Sequence, residues 1–132
     1  AMKKFYVGVK AVIKSEKGVL LLQHDSGYWD MPGGRIDDNE RFEEALAREI
    51  TEELPGSTNI VIGKQLGTYR IERDIEADLG LVLVFFEAHA TLVDPLVLSD
   101  EHETVLWVAK VEDIPEDITD IVKQNVLAGL NL

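Results

Sequence analysis

Residues 29–56 read WDMPGGRIDDNERFEEALAREITEELPG. From Asp38 to Leu54 this stretch holds no glycine, no proline and two β-branched residues, Ile50 and Thr51, which predicts a helix over 38–54. A PGG turn leads into it. Asp37, Asp38 and Asn39 are candidate caps, with Asp37 and Glu40 at capping-box spacing. Pro55 and Gly56 mark the exit. At roughly 100° per residue, Phe42, Leu46, Ile50 and Leu54 make one apolar stripe for a core.

Glu53 falls inside that stripe, Glu49 borders it and Glu52 flanks Glu49. A purely structural amphipathic helix would carry Leu or Ala at 53. Three carboxylates at spacings of three and four repel one another and are costly to desolvate, so a positive charge belongs among them. A hard divalent cation is the natural candidate, and Arg48, four residues from both Glu44 and Glu52, is placed to brace the acids. The bland alternative is a solvated acidic face with ordinary ion pairs.

The longer spacing favours the first reading. Gly34, five residues, Glu40, seven residues, Arg48-Glu49, Ile50, one residue and Glu52-Glu53 resemble the Nudix box without a gap, and Trp29 to Gly34 resembles the entry that often precedes it. One departure closes the box. The family pattern ends in any residue, a glycine and an aliphatic residue, whereas Leu54 is followed here by Pro55 and Gly56. Either Pro55 replaces the glycine or one residue is inserted and Gly56 takes its place. The insertion is favoured because Gly56 still supplies a left-handed turn.

The resemblance implies an α/β fold: an α/β/α sandwich with a mixed β-sheet between the box helix and a C-terminal helix. The pattern of elements alone supports a mixed sheet with helices. The resemblance also implies hydrolysis of a phosphoanhydride in a nucleoside diphosphate linked to another moiety: a nucleoside triphosphate, a nucleotide sugar or a dinucleotide. Mg²⁺ or Mn²⁺ would be held by Glu49, Glu52 and Glu53, joined by a backbone carbonyl of Gly33 or Gly34. The later acidic loop would add another glutamate to the metal site, Glu103 or Glu101, with Glu103 preferred and His102 a weaker candidate, and Glu49 or Glu103 would act as base. Arg48 would orient the glutamates, Glu40 would be structural, and a homodimer is expected. The competing reading is a nucleotide-sensing domain that has lost turnover, supported by the departure at Pro55-Gly56. The intact set of box acids argues against it.

The remaining chain is scaffold. Its 132 residues fit one domain, 1–132. Twenty-five acids against thirteen bases argue against binding polymeric nucleic acid or an anionic membrane, while leaving a small polyanion open if a metal bridges it to the acids. The absence of cysteine excludes thiol chemistry and suits a reducing cytoplasm. No apolar run is long enough to span a membrane.

Residues 5–14 read as a strand with Val7, Val9, Ala11 and Ile13 on one side, 19–22 as a buried partner, and 24–27 as a loop. A long strand over 60–73 has bend points at Gly63 and Gly67, a central strand covers 80–91, and another covers 104–110. Ile118, Ile121, Val122, Val126 and Leu130 outline a second helix on the opposite sheet face. In so acidic a chain Arg70 and Arg73 are candidates for a substrate phosphate, and Trp29, Tyr28 and Tyr69 for stacking on a base. His89, among apolar strand neighbours, is read as structural.

Overall fold

Alternation over the first strand gives it two apolar faces, and both are used. In the computed structural model, which describes residues 1–132 except the side chain of Glu103, β1 (Lys4–Ser15) buries Val9, Ala11 and Ile13 on one side and Val12 on the other. It is followed by β2 (Gly18–His24), β3 (Trp29–Asp30), β4 (Gly33–Arg35), α1 (Phe42–Glu53), β5 (Thr58–Arg70), β6 (Leu79–Thr91), β7 (His102–Val108), a 3-10 turn (Val111–Asp113) and α2 (Asp120–Leu130). The strand order is β3-β2-β1-β6-β5, with β4 on β1 and β7 on β2. β1 and β6 run parallel over Lys4–Ile13 and Leu79–Ala88, and every other strand pair is antiparallel, so the sheet is mixed.

Two cores lie on its two faces. Leu46, Ile50 and Leu54 of the box helix and its exit pack on Val9, Ala11, Ile13, Leu20 and Val84. Val122 and Val126 of α2 pack on Val12, Val19, Leu21 and Phe85 from the other side. This is the expected α/β/α sandwich.

The boundaries differ from expectation in four places. α1 begins at Phe42, because Asp38 takes a left-handed backbone (φ 43°) and residues 37–40 close a turn of their own. There the Glu40 N–H donates to the Asp37 carbonyl (3.0 Å), and the Asp37 N–H donates to Glu40 Oε1 (2.9 Å). Asp and Asn favour such local side-chain and backbone bonds as readily as helix caps. The helix itself is capped by Glu44, which accepts the Arg41 N–H at 3.0 Å. Phe42 sits 36% exposed at this first turn, its ring centroid 6.2 Å from that of Phe86.

β5 spans 58–70 and stops short of Arg73; its pairing with β6 slips on either side of Gln65, near the two predicted glycine bends. β7 spans 102–108, not 104–110, because Asp113 Oδ2 draws off the N–H groups of Ala109 and Lys110 (3.1 and 3.2 Å). Ile118 precedes α2 instead of starting it. His89 is exposed and bonded to Glu87 at 3.1 Å, a surface strand residue.

Candidate active site

The PGG turn reaches the last turn of α1 because two strands hold it. Pro32 accepts the Ala11 N–H at 2.8 Å, and Gly33 and Gly34 pair with Lys10 and Val9 of β1. Glu53, the last residue of α1, points its carboxylate back at this turn and is 7% exposed. Its Oε2 accepts the Gly33 N–H at 3.1 Å. Burial pushes its pKa up to about 8, opposed by the Gly33 bond and the charge of Lys10.

Glu49 stands one turn earlier against Gly34. A Cβ on Gly34 would lie 2.5 Å from its carboxylate, so glycine is what admits the side chain there. Burial raises this carboxyl too, against the pull of Arg48.

Arg48 does brace the acids, through Glu52 as expected and through Glu40 in place of Glu44. Nε and Nη2 meet Glu40 at 2.7 and 2.9 Å, Nη1 meets Glu49 at 3.0 Å and Glu52 at 3.3 Å, and Nη2 also reaches the Arg35 carbonyl at 3.3 Å. Glu40, not Glu44, anchors the guanidinium, and that bond holds the Glu40 carboxyl below the usual range. One cation thus serves three carboxylates and leaves Glu53 to the turn.

The acids are not arranged as a closed cage. Glu53 points inward and Glu49 borders the turn, while the Glu52 side chain is 57% exposed on the outer flank. Among the described residues, no three His, Asp or Glu side chains converge closely enough to hold a metal ion. The side-chain donor set nonetheless fits Mg²⁺ or Mn²⁺: carboxylate oxygens, one carboxylate buried with a single N–H donor, and no base in the last helical turn to offset its negative dipole end.

The acidic loop is tied to the same place. Ser99 donates its N–H to the Glu53 carbonyl at 3.2 Å, and its hydroxyl lies 3.3 Å from His102 Nδ1. His102 in turn meets the His24 ring edge-on at 5.9 Å. Glu101 follows Asp100 in this loop, and its carbonyl accepts the Asp25 N–H at 3.3 Å. Glu103 is the second residue of β7, and its side chain lies outside the described residues.

Of the five substrate candidates, Arg70, Arg73, Trp29 and Tyr69 are not gathered at the carboxylates, and Tyr28 stands exposed just before β3. Arg70 ends β5, three strand spacings from β4, roughly 14 Å, with its guanidinium 5.5 Å over the Phe5 ring. Arg73 lies exposed in the following turn. Trp29 and Tyr69 belong to the core on the α2 face. There Tyr69 meets Phe85 edge-on at 5.5 Å, and its hydroxyl accepts from Asn125 Nδ2 at 3.2 Å.

Three participants at the turn were not read from the sequence: Lys10, Asp30 and Ser99. Lys10 carried a signal, being a lone charge inside an otherwise apolar strand segment.

Comparison with known proteins adds an independent line. The NUDIX domain model matches residues 4–128. The 8-oxo-dGTP diphosphatase of Proteus vulgaris is 35% identical over 57 residues, and the match spans 39% of this chain and 51% of that protein. The CTP pyrophosphohydrolase of Escherichia coli K12 is 24% identical over 109 residues, spanning 79% of this chain and 76% of that protein. The crystal structure of the MutT protein from Methanosarcina mazei Go1 superposes with a TM-score of 0.77 at 27% identity, covering 97% of this chain and 94% of that one.

Proposed function

Because the chain belongs to the Nudix family, we propose that it is a metal-dependent pyrophosphohydrolase that cleaves a phosphoanhydride bond in a nucleotide with water. The observation that carries this reading is the buried Glu53 carboxylate, which has one backbone donor and Glu49 beside it. Such a group is costly to keep charged alone and is favourable beside a divalent cation.

Glu49, Glu52 and Glu53, with the Gly34 carbonyl, are the residues that would hold Mg²⁺ or Mn²⁺. When bound, the ion neutralises the diphosphate and polarises the phosphorus under attack. The chain's residues do the rest. Arg48 keeps Glu49 and Glu52 on one side of the helix, and Gly33 orients Glu53. Glu49 or Glu103 takes the proton of the attacking water, the water oxygen bonds to phosphorus, and the anhydride oxygen leaves with its electron pair.

Among the open substrates, nucleoside triphosphates are favoured by the named relatives, an 8-oxo-dGTP diphosphatase and a CTP pyrophosphohydrolase. The cysteine-free composition favours the cytoplasm, and no helix among the described residues is long and apolar enough to cross a membrane. The homodimer expected from the family is a question for light scattering.

The test is a phosphate-release screen with Mg²⁺ over nucleoside triphosphates, nucleotide sugars and dinucleoside polyphosphates, with Glu53→Gln as control. Turnover of one class, lost in the control, supports the reading and names the substrate. Tight nucleotide binding without turnover of any compound overturns it.

A further inference from the structure

Lys10 and Asp30 form a largely buried ion pair that none of the roles above uses. Nζ and Oδ2 are 2.7 Å apart, and the two side chains are 14% and 20% exposed. As a stabiliser such a pair is inefficient, since well-packed apolar residues commonly do as well. Its position is more informative than its energy.

Asp30 uses both oxygens: Oδ2 takes Lys10, and Oδ1 accepts the Met31 N–H at 2.8 Å. The next residue, Pro32, is bonded to Ala11, and the one after it, Gly33, pairs with Lys10 and donates its N–H to Glu53. The Lys10 methylenes pack where a Cβ of Gly33 would lie, 2.9 Å from Cδ. Lys10 therefore touches both ends of the turn, at Asp30 through its charge and at Gly33 through its stem.

From this geometry we infer that Lys10 and Asp30 are a positioning pair: they clamp the turn from Asp30 to Gly33 so that the Gly33 N–H meets Glu53 and aims its carboxylate. The consequence for metal binding rests on the function proposed above, whereas the clamp itself does not. Neither residue contacts substrate in this role.

The test is the double variant Lys10→Met/Asp30→Asn, which removes the charges, leaves no buried ion unpaired and keeps an oxygen for the Met31 N–H. Amide hydrogen exchange at Gly33 is expected to quicken at least about tenfold relative to the core amides of Leu46 and Ile50. Mn²⁺ affinity, read by calorimetry, is expected to fall at least about tenfold, as for lost outer partners of metal ligands. A purely stabilising pair would loosen all amides together, and that result overturns the inference, as does unchanged protection at Gly33. A loosened Gly33 with wild-type Mn²⁺ affinity also overturns it. If the wild type binds no Mn²⁺, the metal reading fails, and the exchange comparison still decides the clamp. Should the double variant not fold, Asp30→Glu, which keeps both charges but shifts the carboxylate by one methylene, is read in the same way.

Discussion

Gly33 donates its backbone N–H to Oε2 of Glu53 across 3.1 Å, joining the PGG turn to the last turn of α1. The bond links residues twenty apart and sets a carboxylate where the helix's apolar stripe should continue. A single donor does not offset the burial of a charge. The group is therefore held in a conformation suited to a cation and is uncomfortable without one.

Glu53→Gln separates those two properties. Turnover is expected to fall at least about a hundredfold, the scale of losing a charge that stabilises the transition state. The metal-free variant should melt at a higher temperature than the metal-free wild type near neutral pH and above, because a neutral amide still accepts the Gly33 N–H without burying a charge. Steady-state assays and thermal melts in chelator check both. Near-normal turnover in a folded variant would sink the assignment of Glu53 as a ligand.

The same carboxyl gives the metal-free protein a defined pH dependence. Its pKa rises from 4.5 when unfolded to about 8 in the fold, so between those values the native state binds more protons than the unfolded one. Stability therefore falls as pH rises through this window, by a few kcal/mol at most, about 1.4 kcal/mol per unit of difference. Glu49, raised in the same direction, steepens the fall. Glu40 is lowered, so the stability it contributes is lost only as pH drops on the acid side. Denaturant midpoints in chelator at about pH 5 and pH 8 read the slope, Mg²⁺ should flatten it, and a midpoint that climbs with pH contradicts it.

The helix stripe was legible because Leu46, Ile50 and Leu54 recur with the helical period, and Glu53 stood out as an acid within it. The sandwich and its two cores were legible for the same reason, with apolar faces on β1, α1 and α2. What local pattern does not carry is pairing across the chain. The Lys10–Asp30 contact depends on β3 pairing with β2 while β4, just after it, pairs with β1, and the tie from Ser99 to Glu53 depends on a loop far along the sequence. Trp29 and Tyr69 were read as stacking groups from residue type, which does not say which face each takes. The face a strand residue takes depends on bulges, and the slips around Gln65 lie upstream of Tyr69 in β5. Asp38 and Asn39 looked like caps because the chemistry that caps a helix also closes a turn.

Arg48→Lys tests the brace. An ammonium has three donors around one point and cannot span Glu40, Glu49, Glu52 and the Arg35 carbonyl as the planar guanidinium does. Mn²⁺ affinity should drop about 10- to 100-fold, with stability changing by about 1 kcal/mol or less because these pairs are partly exposed. A Mn²⁺ titration beside a urea melt separates the two effects. Unchanged affinity would reduce Arg48 to a surface ion pair.

Gly34→Ala should act on Glu49 alone. The added methyl would lie 2.5 Å from the carboxylate, and the far end of a flexible side chain can swing aside where backbone could not. The fold is expected to survive with a wild-type circular dichroism spectrum, while Mn²⁺ affinity and turnover each fall at least about tenfold. Retained affinity would show that Glu49 is not needed beside the turn.

Pro55 and Gly56 offer two candidates for the glycine that closes the box, and the backbone distinguishes them. Leu54 ends the helix by donating to Ile50, Ser57 donates back to Leu54 at 3.1 Å, and Gly56 between them has φ +88°. Gly56→Ala should therefore cost about 1–2 kcal/mol for the left-handed backbone, and more if Val93 Cγ1, 2.8 Å from the new Cβ, cannot move away. Pro55→Gly removes no such constraint. It should leave turnover close to wild type and cost at most about 1 kcal/mol, through the freer unfolded chain. Paired urea melts and assays of the two variants decide between the positions. If Pro55→Gly abolished activity in a folded protein while Gly56→Ala were neutral, the closing role would belong to position 55 and no residue would be inserted. The observed turn predicts the reverse order, because only position 56 has a backbone that a side chain would strain.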